Sequence, residues 1–175
     1  MNLVENVDNN TLVLYHGGRG LEYSYNELRP NKKGTWEHGP GLYLTDRLRT
    51  ARDYAKGGGR VYKVTVELGT NIDDVSISLP EAVDFVKRYC VKTKQAEIIR
   101  DLDYNLQIVG KLRAEVLVNL IINYEAIQLP KTIILRKFLI EHGVDYEIVK
   151  NYGGDGENVY VVINPRIIKS VEILK

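Results

Sequence analysis

The 175-residue sequence predicts an α+β domain, on three observations. Apolar residues alternate with others near both ends of the chain, in "TLVLYH" and "RVYKVTVEL" early and in "VYVVIN" and "SVEILK" late. Between them, from about Gln95 to Ala126, apolar residues recur at helical spacing instead. No repeat, low-complexity tract or linker interrupts this order, so strands flanking a helical centre are expected to form one domain over 1–175.

The elements follow in chain order. The first strand, Thr11 to His16, is expected to stop at Gly17-Gly18. Residues 19–38 are polar and mixed, with Pro30 and Gly34, and read as a loop holding at most one helical turn. A second strand, "GLYLT", is entered through Gly39-Pro40-Gly41. Asp46 is placed to cap "RLRTARDYAKG", in which Leu48, Ala51, Tyr54 and Ala55 share a face and Gly57-Gly58-Gly59 ends the helix. "RVYKVTVEL" carries the cleanest alternation in the chain. Pro80 opens a helix through about Cys90, since proline is tolerated in a first turn. The central stripe runs through Ile98, Leu102, Leu106, Val109, Leu112, Leu117 and Ile121, with breaks expected near Tyr104-Asn105 and Gly110. Pro130 restarts the chain into "KTIILRKFLIEHG", closed by Gly143. "YEIVKN", the turn-rich "YGGDGEN", "VYVVIN" and a strand near "SVEILK" complete it. Packing on the sheet is the simplest reading of the helices, from about 80 to 142.

Composition limits the function classes. Hydrophobic content of 44% and charged content of 27% are globular values and exclude a disordered chain. The 24 basic and 23 acidic residues leave a net charge of +1, so nothing in the bulk charge draws the protein to nucleic acid or an anionic membrane. Cys90 is the single cysteine and has no internal disulfide partner, which fits a reducing compartment. "MNLVENVDNN" lacks a signal-peptide pattern, and no apolar run is long enough to span a membrane. A cytoplasmic, membrane-free setting is expected. His38 and His142 have no metal-ligand spacing, so no metal is expected, and Gly57–Gly59 lacks the Lys-Ser/Thr of a phosphate-binding loop.

Two stretches ask for a ligand. "LVLYHGGRG" sets a histidine beside paired glycines at a strand end, and "HGPGLYLTD" follows with a strand carrying a tyrosine. With "GPGLYLTDRLRTARDYA", "EHGVDYEIVKN" and "GGDGENVYVVINPRIIKSV", these blocks resemble the ADP-ribosyltransferase superfamily, in its His–Tyr–Glu branch shared with poly(ADP-ribose) polymerases and phage-associated polyvalent proteins. The blocks occur in the family's order and cover both ends of the chain; the helical centre is unmatched. The resemblance implies a split β-sheet core with an inserted helical layer. It also implies transfer of ADP-ribose from NAD, as substrate, to a macromolecular acceptor, protein or nucleic acid, with release of nicotinamide. A mobile-element origin goes with that branch.

Cleaving the nicotinamide–ribose bond builds oxocarbenium-like charge on the ribose, so the site must orient a flexible dinucleotide and set negative charge beside the cation. By the resemblance, His16 bonds a ribose hydroxyl, Gly17 and Gly18 let the backbone approach the nicotinamide carboxamide, and Arg19 meets the pyrophosphate. Tyr54 stacks on the nicotinamide and Tyr43 forms a neighbouring wall. Plainer readings stand beside each: a backbone-satisfied His16, a core Tyr43, a packed Tyr54, a solvated Arg19. The family's acid directly precedes "YVV", where this chain has Val159. Glu157, on the same strand face two residues upstream, is the first candidate to replace it through a bulge or shifted turn. Asn158 is the second, able to bond a hydroxyl but uncharged. Asp155 resembles the first acid of the paired-acid spacing in arginine-targeting members, which a Gly-Asp-Gly turn also supplies. Val159 keeps a second class open, a catalytically lapsed module that binds NAD, ADP-ribose or a partner. An RNA 2′-phosphotransferase would need an arginine-rich signature that is missing.

Overall fold

The computed structural model describes residues 10–19, 21, 28 and 36–174. Most of the expected 19–38 loop therefore lies outside the described residues, as does most of the N-terminal stretch. The described residues fall into two compact units, the first drawn from Met1–Arg29, Gly41–Gly69 and Asp145–Lys175, the second from Pro30–Pro40 and Thr70–Val144. The segment expected as a helical insertion, 80–142, lies inside the second.

The first unit holds six strands: β1 (Thr11–Gly18), β2 (Leu42–Thr45), β3 (Arg60–Glu67), β4 (Tyr146–Tyr152), β5 (Glu157–Val162) and β6 (Ile168–Leu174), with the short helix α1 (Leu48–Tyr54) between β2 and β3. They form one antiparallel sheet in the order β4-β5-β2-β1-β3-β6. β1 is zipped to β3 along its whole length, from Thr11 opposite Glu67 to Gly18 opposite Arg60. Its register with β2 is carried by Tyr15 opposite Thr45. The sheet is thus split into two three-stranded halves joined at their middle, an α+β fold with the split sheet that the resemblance implies. Alternation decides the faces. Leu14, Leu44, Tyr62, Val64, Val66 and Val162 are buried together on one side, with Ile167 and Ile168 closing the cluster. Each such side chain contributes about 1.5–3 kcal/mol on burial.

Two expectations about this unit are corrected. Gly17-Gly18 do not stop β1; both residues remain in the ladder with Val61 and Arg60, because a strand zipped along a full partner tolerates glycine. Asp46 does not cap α1. The cap position is Arg47, with no side-chain cap bond, and the Asp46 carboxylate instead accepts the Asn158 N–H at 3.2 Å.

The second unit holds α2 (Leu79–Tyr89), α3 (Lys92–Val109), α4 (Ala114–Asn123) and α5 (Thr132–Glu141). α2 begins with a capping box, Ser78 with Glu81, that Pro80 follows into the first turn. α3 passes unbroken through Tyr104-Asn105, against expectation, and ends at Gly110, whose φ of 77° supplies the left-handed cap. Ile98 and Leu102 of α3 and Leu117 and Ile121 of α4 are buried. Among the described residues no helix is long and apolar enough to cross a membrane.

Candidate active site

Where β1 and β2 part beyond Tyr15, the His16 ring bridges them, its Nδ1 lying 2.9 Å from the Tyr43 carbonyl oxygen. A carbonyl only accepts, so Nδ1 carries the proton and Nε2 of the neutral ring is left as an acceptor. Burial lowers the His16 pKa, against a smaller opposing pull from the Tyr43 carbonyl, and keeps the ring neutral at pH 7. The Tyr62 ring lies 6.2 Å away, centroid to centroid. A Cβ on Gly18 would stand 2.9 Å from His16 Nε2, so glycine there keeps that acceptor open.

Gly17 has a different reason for being glycine. A Cβ built on it would stand 1.8 Å from the Ala51 carbonyl oxygen, so the space is taken by α1 and not by room for a ligand. The rationale that a missing Cβ admits nicotinamide is replaced by close helix–strand packing. Ala51 is fully buried at that contact, and it alone of the expected α1 face is buried. Tyr54, the last residue of the helix, is 66% exposed, which removes the packing reading of its ring. The Arg19 guanidinium donates to the Gly57 carbonyl at 2.8 Å, tying the loop after β1 to the glycine turn after α1.

The acidic end gathers on the sheet face opposite the main apolar cluster. Tyr43 and Thr45 of β2 sit across from Val161 and Val159 of β5, and alternation places Glu157 on the same side. Glu157 is only 6% exposed. The Thr45 hydroxyl donates to Glu157 Oε1 at 2.5 Å, and the Thr50 hydroxyl from α1 donates to Oε2 at 3.1 Å. Two hydroxyl donors compensate the carboxylate for lost water, which is what lets it be buried. Val159 is buried between Thr45 of β2 and Val149 of β4. The expected irregularity exists, but β4 carries it: between Val149 opposite Val159 and Tyr152 opposite Glu157 the register shifts, with Asn151 at φ 53°.

Asn158 points to the other face from Glu157 by the same alternation. Its carboxamide oxygen accepts the Asn151 N–H at 3.3 Å, and its carbonyl accepts the Asp46 N–H at 3.2 Å. Asp155 is bound by Arg47, through its carboxylate at 2.6 Å and its carbonyl at 2.5 Å.

The expected residues therefore fall into linked groups strung along β2. His16 is tied to the Tyr43 carbonyl and Glu157 to the Thr45 hydroxyl. The Tyr43 and Thr45 side chains share the Glu157 face, whereas alternation sets His16, opposite Tyr62, toward the other face. Tyr54 and Arg19, the latter through Gly57, both stand at the C-terminal end of α1. Thr45, Arg47 and Thr50 are the site residues that sequence reasoning missed. For Thr45 a signal was available, since it follows Tyr43 by two in a strand. For Arg47 and Thr50 there was none. Among the described residues, no three His, Cys, Asp or Glu side chains are grouped as metal ligands. A cavity of about 340 Å³ in the second unit, lined by Lys87, Arg88, Cys90, Lys92, Gln95 and Lys131, contains none of these residues.

Comparison with known families gives a match to the model described as ADP-ribosyltransferase in polyvalent proteins, over residues 8–173. No curated protein and no solved structure matches the chain.

Proposed function

Because the chain belongs to the ADP-ribosyltransferases of polyvalent proteins, we propose that it is a mono-ADP-ribosyltransferase, moving ADP-ribose from NAD to a macromolecular acceptor and releasing nicotinamide. The observation that carries this reading is Glu157: a carboxylate buried at 6% exposure and aimed by two hydroxyls, on the sheet face that also carries Tyr43. As the nicotinamide–ribose bond breaks, the electron pair leaves with nicotinamide and the ribose becomes cationic. The Glu157 charge answers that cation, and it is worth most in a site from which water is excluded. The Thr45 and Thr50 hydroxyls fix the carboxylate before the charge develops, so no reorganisation is needed at the moment of reaction.

The other residues orient the dinucleotide. Neutral His16 accepts a ribose hydroxyl at Nε2 through the gap that Gly18 leaves. Tyr54 stacks on the nicotinamide, Tyr43 walls it, and the Gly17 and Gly18 backbone meets its carboxamide. Arg19 reaches the pyrophosphate by exchanging its Gly57 contact. Asn158 shapes the turn from the far face. The acceptor is a protein side chain or a nucleic acid.

A second reading, a module of the same fold that binds NAD or ADP-ribose without turnover, is favoured by Val159 at the family's acid position. One experiment separates them. The purified protein is incubated with labelled NAD, and released nicotinamide and labelled macromolecule are measured beside thermal stability. Nicotinamide release with label transfer is expected; stabilisation by NAD with no release would establish the binder.

A further inference from the structure

Arg47 closes a circuit around Glu157 that the proposed chemistry does not itself require. Its backbone N–H donates to the Thr45 hydroxyl oxygen at 3.0 Å. That leaves the Thr45 proton for Glu157 Oε1, to which it is given at 2.5 Å. Its guanidinium reaches the turn before β5 with two nitrogens, one on the Asp155 carboxylate at 2.6 Å and one on the Asp155 carbonyl at 2.5 Å. The other Asp155 carboxylate oxygen accepts the Glu157 N–H at 3.2 Å. One residue therefore touches the acid's neighbours from both sides, the hydroxyl at its head and the backbone at its root.

The turn needs such a hold. Gly153, Gly154 and Gly156 all have positive φ, at 72°, 80° and 82°, and Asn151 adds a fourth left-handed residue at 53°. Glycine-rich backbone of this kind has many unfolded-like alternatives and little side-chain packing to select among them. A lone exposed ion pair would contribute little, and the Asp155 side chain is 59% exposed. The Arg47 side chain is only 25% exposed, however, and its fork grips a backbone group as well as a carboxylate.

We propose that Arg47 and Asp155 form a latch that holds the 153–156 turn and thereby positions the Glu157 carboxylate. Arg47 is a positioning residue, and the assignment rests on the reading of Glu157 as the acid. It also revises Asp155, whose paired-acid spacing suggested a part in acceptor choice: its carboxylate is committed to Arg47 and to the Glu157 N–H.

Two readouts test the latch in Arg47→Ala, with Arg47→Lys as the milder variant should the alanine protein fail to fold. Amide hydrogen exchange over 151–158 reads the latch whether or not the protein turns over. Exchange of the Glu157 N–H is expected to rise about 10-fold or more in Arg47→Ala and less in Arg47→Lys. Nicotinamide release reads positioning: kcat is expected to fall between about 10-fold and about 100-fold while KM for NAD stays within about 2-fold. Unchanged exchange overturns the latch. Faster exchange with unchanged kcat overturns the positioning role. A parent protein that releases no nicotinamide overturns the reading of Glu157, and the positioning role with it, while exchange still decides whether the latch exists.

Discussion

At the β1 end of the site, the parts are neighbours in sequence: His16, Gly17 and Gly18 are consecutive, and Tyr43 and Tyr54 come from the next strand and helix. At the β5 end, the parts come from far apart. Glu157 is bonded to Thr45 and Thr50, 112 and 107 positions away, and Asp155 to Arg47 at 108. The first region is assembled by local backbone, so its geometry comes with the strand that carries it. The second is assembled by long-range pairing and holds a charge, so its geometry depends on several hydroxyl and guanidinium contacts being made together. On the proposed reading, an acid site built this way keeps its shape while its chain position shifts by two residues, and Glu157 supplies the charge that Val159 lacks.

The comparison is most easily broken at the β1 end by Gly17→Ala. Its new Cβ would meet the Ala51 carbonyl at 1.8 Å, a backbone atom that cannot swing away. A destabilisation of at least ~1–3 kcal/mol is expected, read as a lower denaturation midpoint. Tolerance of alanine there would show that α1 does not pin β1.

His16→Ala should weaken NAD binding by ~1–3 kcal/mol in calorimetry, since it removes a placed acceptor. Binding unchanged from the parent would remove His16 from the site. The pH dependence sharpens the same point. Burial lowers the folded His16 pKa below the ordinary 6.5, so an unfolded chain takes the proton first as pH falls. The neutral ring's contribution is complete above about pH 6.5 and is lost as pH falls through the lowered folded value. Protonation also turns Nε2 from acceptor to donor. NAD affinity should fall over that window in the parent, and the fall should be absent in His16→Ala.

The smallest effect is expected from Tyr54→Ala. The ring is exposed, so stability should hardly change, while NAD affinity falls by ~0.5–1.5 kcal/mol and ADP-ribose affinity stays level, because only one of the two ligands carries the stacked ring. Equal losses for both ligands would assign Tyr54 another role.

The same contrast governs what the sequence made legible. β1, β2, β3 and the late strands follow from alternation, and the helices from their stripe and their Pro and Gly boundaries, because those signals are local. The misread details are also local rules overridden by partners. Gly17-Gly18 stay in β1 since β3 holds them, and Asp46 leaves the α1 cap since Asn158 takes its carboxylate. Gly17 and Gly18 were singled out, yet the reason for the first was a helix and not a ligand. Glu157 could be named from strand periodicity, and Thr45 lay two residues along β2 from Tyr43, but the Thr50 hydroxyl that completes the burial could not be named. Nothing in "LTDRLRT" announces that Arg47 reaches Asp155 and Thr50 reaches Glu157, more than a hundred residues onward.

The central claim is that Glu157 supplies the charge that the reaction needs. The most direct measurement is nicotinamide release from NAD by the parent, by Glu157→Gln and by Val159→Glu, with NAD affinity determined for each. Glutamine keeps the shape and the Thr45 contact but removes the charge, so affinity should hold while kcat falls about 10²-fold or more. Val159→Glu should bring no gain, because that side chain is enclosed between β2 and β4 beside an acid already in place. A Glu157→Gln protein that turns over like its parent, or a large gain from Val159→Glu, would contradict the assignment.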